Sequence, residues 1–480
     1  MKKVSLLIIM IVNITFAQTP CSNGFAGIYP CSNIDLQKFM PFSQIGGVNG
    51  VTEGSGCWGW TDPLTGKEYA IMGCSTHTAF VDITNPSAPI YKGKVIAHNN
   101  TTSIWREISV INNHALIVSE TTGHGMQIFD LKRLRNVTTP QTFTADARYT
   151  GFGQCHSVSS NPATGFTYCD GATQLPLGIT ANGGPQILNM QNPIAPVLVG
   201  SHQSDGYTHD AQIVLYDGPD PDYQGQEIFM GANANKVAIV NVTNKANPIT
   251  ISNFTYDNNY YAHQGWFTAD KKYWILCDEL DEINLGGNGR SIIIDVTDLD
   301  NPVYKGDYFG TTPAIDHNGY IIGNDMFLAS YTAGLRILNT ANITATSTLS
   351  EIAYFDTYPS TNAAQFDGVW NTYPFFASGN IIMSDMNTGL FIVKKSAALA
   401  NQTFEKNNYR ISPNPADNNV AIESSVNKIY TVEFFNVIGK KVKTMSNLST
   451  NRINIEIQDL NSGIYFVKVN NTTSLKLIVR

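Results

Sequence analysis

The sequence of 480 residues predicts an all-β protein. Short segments rich in β-branched and aromatic residues alternate with clusters of Gly, Pro, Asn and Asp, which is the pattern of strands joined by turns. Helical periodicity is scarce between residues 51 and 395, and one sequence line recurs there at regular distances. These observations predict a repeat of small antiparallel sheets, followed by a separate β-rich tail.

Residues 1–17 are predicted to be a cleavable signal peptide. Lys2 and Lys3 precede the apolar run VSLLIIMIVNITFA, which ends in the small residue Ala17. A spanning helix needs roughly 20 apolar residues, and neither this run nor any other stretch reaches that length. The mature chain is therefore predicted to be exported and to have no transmembrane helix.

Residues 18–50 are predicted to contain a strand that closes the repeat. The stretch MPFSQIGG, residues 40–47, has the Pro-then-Gly outline of APIYKGK and APVLVGS in the repeats that follow. The last repeat ends at LFIVKKS without a fourth strand. We expect the N-terminal strand to supply it, so that no edge of the last sheet is left unpaired.

Residues 51–395 are predicted to form a seven-bladed β-propeller. The recurring line includes AFVDITNPSAP, AIVNVTNKANP and IIIDVTDLDNP, and its intervals run from 44 residues (Asp295 to Asn339) to 59 residues (Asp130 to Asn189). Each copy holds four strand-like segments, which in the fifth copy are HQGWFTA, KYWILCD, SIIIDV and NPVYKGDYF. Seven copies of four strands match a propeller, which limits exposed edges by radial repetition. The Asp or Asn of the line is expected to cap the turn before the fourth strand.

Aligning the seven copies places one residue of each at the start of the innermost strand. The aligned residues are Trp58, Arg106, His156, His209, His263, His317 and Asp367. Innermost strands of a propeller surround a central channel, so these side chains are expected to form a ring at one of its mouths.

The four consecutive histidines of this ring, His156, His209, His263 and His317, together with Asp210, are candidate ligands for a transition metal. Neutral imidazole binds Zn²⁺, Cu²⁺, Ni²⁺ or Fe²⁺, provided that the ligating nitrogens lie about 3–3.5 Å apart. In the alternative interpretation each histidine is a hydrogen-bonding residue between neighbouring blades, and no metal is bound. No pairing of a nucleophile with a base stands out, so no catalytic residue is assigned.

A second candidate metal site is the acidic loop YDGPDPDYQG. It offers Asp217, Asp220 and Asp222, and alternate carboxylates in a turn can bind Ca²⁺. The loop lacks a full set of calcium ligands, so a solvated acidic loop is the alternative.

The seven cysteines of an exported chain predict disulfides with at least one thiol left over. Cys155 and Cys169 flank the turn NPATG, and Cys57 and Cys74 flank DPLTG, so two hairpins are expected to bring each pair together. Cys21 and Cys31 are then natural partners. Cys277, in YWILCDE, is left as a buried thiol.

Charge separates the propeller region from the tail. Residues 18–404 carry a net charge of −14, whereas residues 405–480 carry +4. An acidic domain of this kind repels nucleic acid, which excludes nucleic-acid binding as a function class. Residues 396–404 are predicted to be a linker, and the alternating apolar residues of 405–480 predict a small Ig-like β-sandwich.

Longer sequence segments resemble two known families. WGWTDPLTGKEYAIMG, YTHDAQIVLYDGPDPDYQGQEI and AHQGWFTADKKYWILCDELDE resemble the choice-of-anchor B family of LVIVD-repeat propellers over residues 21–395. This resemblance implies an extracellular propeller and gives no catalytic residue. The tail phrases YRISPNPADNNVAIES and LNSGIYFVKV resemble a type A sorting domain of the type IX secretion system. That resemblance implies export by the type IX machinery, removal of the tail, and either surface attachment or release.

Three function classes remain open on the sequence. The first is an extracellular or cell-surface binding module for a protein or glycan, which needs no catalytic group. The second is a metal-dependent enzyme built on the histidine ring, and the third is a metal-free structural scaffold. The sequence favours the binding module.

Overall fold

The computed structural model describes residues 18–175, 181–396, 409–424, 428–436, 440–470 and 473–480. The predicted signal peptide, residues 1–17, and most of the predicted linker, residues 396–404, lie outside the described residues. The chain divides into two compact units, Met1–Ser396 and Ala397–Arg480. Within the described ranges, no helix is long and apolar enough to cross a membrane.

The first unit begins with three strands and continues as successive antiparallel sheets, numbered here from 1 to 7. The N-terminal strands are β1 (Phe25–Ala26), β2 (Tyr29–Ser32) and β3 (Ile34–Pro41). Sheet 1 contains β4 (Gly54–Thr61), β5 (Glu68–Cys74), β6 (His77–Asp82) and β7 (Ile90–Ile96). Sheet 2 contains β8 (Arg106–Ile111), β9 (His114–Ser119) and β10 (Met126–Asp130). The next two strands are β11 (Gln141–Phe143), which joins sheet 1 parallel to β7, and β12 (Ala147–Tyr149), which completes sheet 2.

The following three sheets repeat the same up-and-down order. Sheet 3 contains β13 (Ser157–Asn161), β14 (Phe166–Asp170), β15 (Gln186–Asn189) and β16 (Val197–Ser201). Sheet 4 contains β17 (Asp210–Leu215), β18 (Glu227–Ala232), β19 (Val237–Asn241) and β20 (Ile249–Phe254). Sheet 5 contains β21 (Ala262–Phe267), β22 (Tyr273–Asp278), the short helix α1 (Asp281–Leu285), β23 (Arg290–Asp295) and β24 (Val303–Phe309).

The last two sheets of the unit take up the N-terminal strands. Sheet 6 contains β25 (Gly319–Ile322), β26 (Asp325–Ala329), β27 (Leu335–Asn339), the short helix α2 (Ile343–Thr346) and β28 (Ser350–Phe355), and β2 and β1 extend its edge. Sheet 7 contains β29 (Val369–Tyr373), β30 (Asn380–Asp385) and β31 (Gly389–Lys395), and β3 is its fourth strand.

The fourth strand of sheet 7 comes from the opposite end of the chain. β3 pairs antiparallel with β31, with Phe39 opposite Phe391 and Met40 opposite Leu390. The strand is predicted at residues 40–47, whereas β3 ends at Pro41 and Phe42–Gln44 form a single turn of 3₁₀ helix. The predicted strand therefore lies several residues too far along the chain.

The first strands of the seven sheets follow one another around a common central space. β4 contacts β8, β8 contacts β13, and the series continues through β17 and β21 to β25. β29 contacts β26 of sheet 6 on one side and β4 of sheet 1 on the other. The N-terminal ends of seven strands are therefore brought close together, although more than 300 residues separate the first from the last.

The core lies between neighbouring sheets. The second strands β5, β9, β18, β22 and β30 are buried along their whole length, because both of their faces are covered. Between sheets 4 and 5, for example, Met230 and Ile239 pack in one cluster with Trp274 and Ile292. Each fully buried large apolar side chain contributes about 1.5–3 kcal/mol, so these interfaces dominate the stability of the unit.

The second unit is also all-β. Its first sheet contains β32 (Tyr409–Ser412), β33 (Asn419–Ser424) and β36 (Arg452–Glu456), and its second contains β34 (Val432–Asn436), β35 (Lys441–Met445), β37 (Gly463–Val469) and β38 (Thr473–Val479). Alternate apolar residues of both sheets, among them Val420, Phe434 and Val467, form one core. The unit therefore has a hydrophobic core of its own.

The predicted disulfide between Cys21 and Cys31 is present, with the two Cα atoms 6.0 Å apart. The predicted bridge between Cys57 and Cys74 is wrong, because both are buried thiols. A register shift between Gly54 and Cys57 places Cys57 opposite Met72 and leaves Cys74 opposite Gly54.

Cys155 and Cys169 are also thiols, so the second predicted hairpin bridge is not formed either. Cys155 precedes β13, and its thiol donates to the carbonyl oxygens of Ser157 (3.0 Å) and Asp170 (3.2 Å). Cys169 lies opposite Val158 in the hairpin. Cys277 is a buried thiol as well.

Candidate functional site

Four histidines lie in a continuous row at the N-terminal ends of the first strands of sheets 3 to 6. The ring centroids of His156 and His209 are 3.9 Å apart, those of His209 and His263 4.2 Å, and those of His263 and His317 4.0 Å. All four side chains are buried. The spacing of one histidine per repeat thus becomes direct ring-to-ring contact.

Backbone carbonyls of the neighbouring strands fix the orientation of two of these rings. His209 Nδ1 lies 3.2 Å from the carbonyl oxygen of His263, and His317 Nδ1 lies 2.5 Å from that of Trp370. A carbonyl oxygen only accepts, so each Nδ1 carries the proton and donates it. Nε2 of His209 therefore keeps a free lone pair. The two hydrogen bonds also link sheet 4 to sheet 5 and sheet 6 to sheet 7.

Two glutamates that sequence reasoning did not assign to the ring lie against the row. Glu279 follows β22, and its carboxylate oxygens are 3.7 Å from His263 Nε2 and 3.3 Å from His317 Nε2. Tyr331 donates to the same carboxylate at 2.8 Å. Glu120, which follows β9, lies 2.6 Å from His156 Nδ1.

The sequence held a usable signal for Glu279. In an antiparallel hairpin the end of the second strand lies beside the start of the first, and Asp278 is indeed opposite Ala262. The residue after Asp278 therefore has to lie close to His263, and this can be deduced once the strands have been aligned.

Burial and mutual proximity shift the pKa values of the row. Burial, together with the neighbouring imidazoles, holds the pKa of His209 and of His263 well below the usual value. Burial also lowers the pKa of His156, but the hydrogen bond and charge of Glu120 outweigh it, and the net shift is upward. Burial raises the pKa of Glu279, and the hydrogen bonds from His317 and Tyr331 outweigh that effect and lower it. Neutral His209 and His263 thus face an ionised Glu279.

Three other members of the predicted ring do not join the row. Arg106 is buried elsewhere, where it donates to the carbonyl oxygen of Cys74 (3.0 Å) and contacts His124 Nε2 (3.2 Å). Asp367 accepts from the Asn387 side chain at 2.7 Å. Trp58 lies deeper along the central space.

Asp210 lies beside the row and also reaches the space beyond it. It lines a small cavity of about 50 Å³ together with the four histidines, Glu279 and Glu107. Burial raises the pKa of Asp210 to about 6 and the pKa of Glu107 to about 7. These two carboxyl groups form the boundary between the small cavity and a larger one.

The acidic loop does not bring its three aspartates together. Asp217 pairs with Lys271, and Asp222 is exposed. Asp220 instead lies near Asp298 and Asp300, which belong to the loop before β24. Asp220 also accepts from the backbone N–H of Leu299 at 2.8 Å, so it links the loops of sheets 4 and 5.

The larger cavity, of about 530 Å³, occupies the rest of the central space and is lined by first strands of all seven sheets. Glu107 and Asp210 close it at the histidine end. At the other end it reaches the surface, where the lining residues Thr61 and Pro162 are exposed. Its volume falls within the range of roughly 300–1,000 Å³ that is typical of small-ligand sites.

One wall of the larger cavity is aromatic. The wall consists of Trp58, Trp266, Tyr320, Tyr373 and Phe375, from β4, β21, β25 and the segment around β29. Trp58 contacts Tyr373 (5.1 Å between ring centroids), and Trp266 contacts Tyr320 (5.0 Å) and Phe375 (6.0 Å). We call these five residues the aromatic wall.

The opposite wall carries hydroxyl and amide groups among aliphatic side chains, and we call it the polar wall. Its polar members are Ser109, Ser157, Ser159, Ser160 and Gln212, from β8, β13 and β17, and aliphatic residues of the same strands, such as Val110 and Ile213, line the cavity between them. Ser157 donates to the carbonyl oxygen of His209 and Ser159 to that of Ala211, each at 2.8 Å. Their oxygens keep lone pairs that can accept from a ligand. The cavity therefore presents apolar ring faces on one side and hydrogen-bonding groups on the other.

The tail of the chain matches a known family. A family model described as "Secretion system C-terminal sorting domain" matches residues 410–480. The chain carries a type IX secretion sorting domain. Proteins with this tail are exported, and the chain is accordingly secreted or attached to the outer cell surface. The tail also implies interaction with the type IX secretion machinery.

Comparison with other proteins adds only distant similarities. No curated protein matches the sequence significantly. Among solved structures, PorZ, a surface component of the type IX secretion system of Porphyromonas gingivalis, is 10% identical, with a TM-score of 0.44, over 87% of this chain and 58% of PorZ. A protein from Lactobacillus plantarum is 12% identical, with a TM-score of 0.43, over 84% of this chain and 98% of that one. The extracellular domain of the putative one-component system BT4673 from B. thetaiotaomicron is 13% identical, with a TM-score of 0.43, over 92% of this chain and 57% of that one.

Proposed function

We propose that the mature protein is an exported seven-bladed β-propeller that binds a glycan in the larger cavity of its central channel. In this proposal residues 1–17 are removed as a signal peptide, residues 51–395 form the propeller with the N-terminal strand in its last blade, and residues 405–480 are removed as a sorting domain. Seven successive sheets whose first strands follow one another around one space support the propeller. The resemblance to choice-of-anchor B proteins is consistent with it.

The observation that carries the ligand class is the pairing of an aromatic wall with a polar wall across one cavity. A sugar ring has the matching chemistry, because its C–H faces are apolar while its edges carry hydroxyl groups. Indole and phenol rings stack on such faces, and serine hydroxyls and the amide of Gln212 exchange hydrogen bonds with the edges. An ordinary apolar ligand would leave the unused lone pairs of Ser157 and Ser159, and the carboxyl groups of Glu107 and Asp210, without a partner on the ligand, at a cost in affinity.

The two carboxyl groups at the closed end fit the same ligand class. The pKa of Glu107 is about 7, so near neutral pH its carboxyl group is partly protonated and can both donate and accept. Trp370 Nε1 donates to it at 2.7 Å, which fixes its position. A sugar hydroxyl also both donates and accepts, so it can pair with either form of this group.

Binding can be tested by titrating the purified protein with a panel of mono- and disaccharides while recording tryptophan fluorescence and heat. Trp58 and Trp266 line the cavity, so a bound sugar is expected to change the emission. Trp266→Ala and Phe375→Ala should each weaken binding of the best ligand at least 10-fold, which is about 1.4 kcal/mol.

Tyr304→Ala is the matched control, because Tyr304 is an exposed aromatic residue on the outer strand β24. Thermal melting of each variant confirms that the fold is kept. The proposal is contradicted if no saccharide binds to the wild-type protein, or if the cavity variants bind the best ligand as tightly as the control.

A further inference from the structure

The histidine row contains a group of side chains whose chemistry and spacing suit a metal ion. His209, His263 and Glu279 each offer one ligand atom, and these three atoms all lie within 4.8 Å of one another. His209 and His263 are 6% and 2% exposed, and the small cavity of about 50 Å³ lies directly against them. We propose that this group binds one divalent late transition-metal ion, with zinc as the preferred ion, at the closed end of the central channel.

The donor set selects the class of metal. Two imidazole nitrogens and one carboxylate are the ligands that zinc, copper(II) and nickel(II) prefer, whereas calcium and magnesium prefer oxygen alone. Tetrahedral ligands of zinc stand about 3.3 Å apart at bond lengths near 2.0–2.1 Å. Each of the three side chains has to move inward by less than about 1 Å to reach that geometry, and rotation about their side-chain bonds supplies such a shift.

The surroundings hold the ligands in the required orientation. His209 donates from Nδ1 to the carbonyl oxygen of His263, which leaves Nε2 as its ligand atom. Tyr331 donates to one carboxylate oxygen of Glu279, and His317 lies 3.3 Å from the same oxygen. Ligating histidines and carboxylates commonly make hydrogen bonds of this kind, which set the ring orientation and the basicity of the ligand.

His263 is incompletely satisfied by its surroundings. Among the described residues, its Nδ1 makes no hydrogen bond of acceptable geometry, although the side chain is almost fully buried and the backbone of His317 lies near enough to raise the pKa of the ring. A buried polar nitrogen without a partner costs about 1–3 kcal/mol, and a small inward movement of the ring toward an ion would also reorient this nitrogen. Lone pairs of stacked imidazoles next to several carboxylates repel one another, and a cation at their centre removes that repulsion.

The cavity has room for the ion and its remaining ligand. One water molecule needs roughly 10–15 Å³, so about 50 Å³ accommodates an ion with one or two waters. Three protein ligands with an open fourth position facing a cavity is the arrangement found when zinc keeps a water molecule. Binding of the metal at this end is separate from binding of a glycan in the larger cavity.

The test uses the purified full-length protein after treatment with a chelator. Titration with zinc chloride, followed by heat and by competition with a chelating dye, should give one ion per chain. Cobalt(II) should give the visible absorption of a tetrahedral site. Glu279→Gln, which keeps the shape of the side chain, should weaken zinc binding at least 10-fold, as should His263→Ala.

His98→Ala is the matched control. Because His98 lies outside the row, this variant should bind zinc like the wild-type protein. Thermal melting without metal establishes that each variant is folded, and zinc should raise the melting temperature of the wild-type protein and the control only. If His263→Ala does not fold, the comparison of wild type with Glu279→Gln decides. Failure of the wild-type protein to bind zinc, or equal zinc affinity in wild type and Glu279→Gln, overturns the proposal.

Discussion

Asp62 shows how a single side chain can hold two sheets together. It follows β4 of sheet 1 and accepts two hydrogen bonds from Arg135, which lies in the 3₁₀ helix after β10 of sheet 2, from Nε at 2.8 Å and from Nη2 at 2.6 Å. It also accepts from the backbone of Leu64 and the hydroxyl of Thr65. Two parallel hydrogen bonds between a guanidinium group and a carboxylate are among the strongest polar contacts in proteins.

The Asp62 pair predicts a dependence of stability on pH. The hydrogen bonds from Arg135, opposed by burial and assisted by Thr65 and Leu64, lower the pKa of Asp62 from 3.8 to about 2. The unfolded chain therefore binds more protons than the folded chain between these values, so the contribution is complete above pH 4 and is lost as the pH falls through about 2. Asp62→Asn should cost about 1–3 kcal/mol at pH 7 and almost nothing near pH 2.

Urea unfolding at a series of pH values between 2 and 7 measures this difference. Asp222→Asn is the control, because Asp222 is exposed and has no pairing of this kind, so its substitution should leave the profile unchanged. A cost of Asp62→Asn that stays the same from pH 7 to pH 2 would show that the charge of Asp62 does not contribute.

At the scale of single residues, the sequence predicted which residues occupy equivalent strand positions better than it predicted which side chains they contact. The interval of one repeat from His209 to His263 was enough to place both residues at equivalent strand starts. It was not enough to place Tyr331, because that residue lies in a connection between strands, where length varies from sheet to sheet. Placing Glu279 needs the pairing of β21 with β22 as well as the interval. Arg106 was aligned with the histidines, and the adjacent Glu107 faces the cavity instead.

The fourth strands of sheets 1, 3 and 5 each carry a glycine that backbone outside the strand approaches closely. A Cβ atom at Gly200, in β16, would lie 1.6 Å from the carbonyl oxygen of Lys245, which follows the third strand of sheet 4. A Cβ atom at Gly93, in β7, would lie 2.0 Å from the carbonyl oxygen of Gln141. Backbone outside the strand, from sheet 4 at Gly200 and from β11 of the same sheet at Gly93, approaches so closely that only hydrogen fits.

Gly200→Ala should therefore destabilise the protein by about 1–3 kcal/mol, the usual cost of inserting a methyl group where the backbone must move. Its melting temperature measures the effect. Gly310→Ala is the control, because a Cβ atom there would meet its nearest neighbour at 3.5 Å. If the two substitutions have equal effects, close approach of the neighbouring sheet does not determine the need for glycine.

Individual strands were predictable where the alternation of residues was undisturbed. In sheet 5 the four segments chosen from the sequence overlap β21, β22, β23 and β24. Irregular registers were not predictable, since the shift between Gly54 and Cys57 has no local sequence signal and separates Cys57 from Cys74. The same limitation affected the position of the N-terminal strand, because a register shift between Leu36 and Lys38 interrupts the alternation of apolar residues in the observed strand Ile34–Pro41.

For the molecule as a whole, the regular interval of the repeats was the strongest signal. A line that recurs seven times requires seven similar units, and each unit covers the apolar face of its neighbour. The ligand was not predictable at this scale, because the aromatic wall takes residues from four distant parts of the chain that share no motif.

The two units of the chain predict the form in which the protein reaches the outside of the cell. The sorting-domain match covers residues 410–480, and that unit has a hydrophobic core of its own, so its removal does not take apolar residues from the sheets of the first unit.

We expect the mature protein from its native host to begin near Gln18 and to lack most of the region after Glu405. Intact-mass spectrometry of the cell-surface and culture fractions measures both ends. A variant that lacks residues 405–480 should fold with an unchanged melting temperature but remain inside the cell. An extracellular product that retains Arg480 would contradict removal of the tail, and export of the shortened variant would contradict its role as the sorting signal.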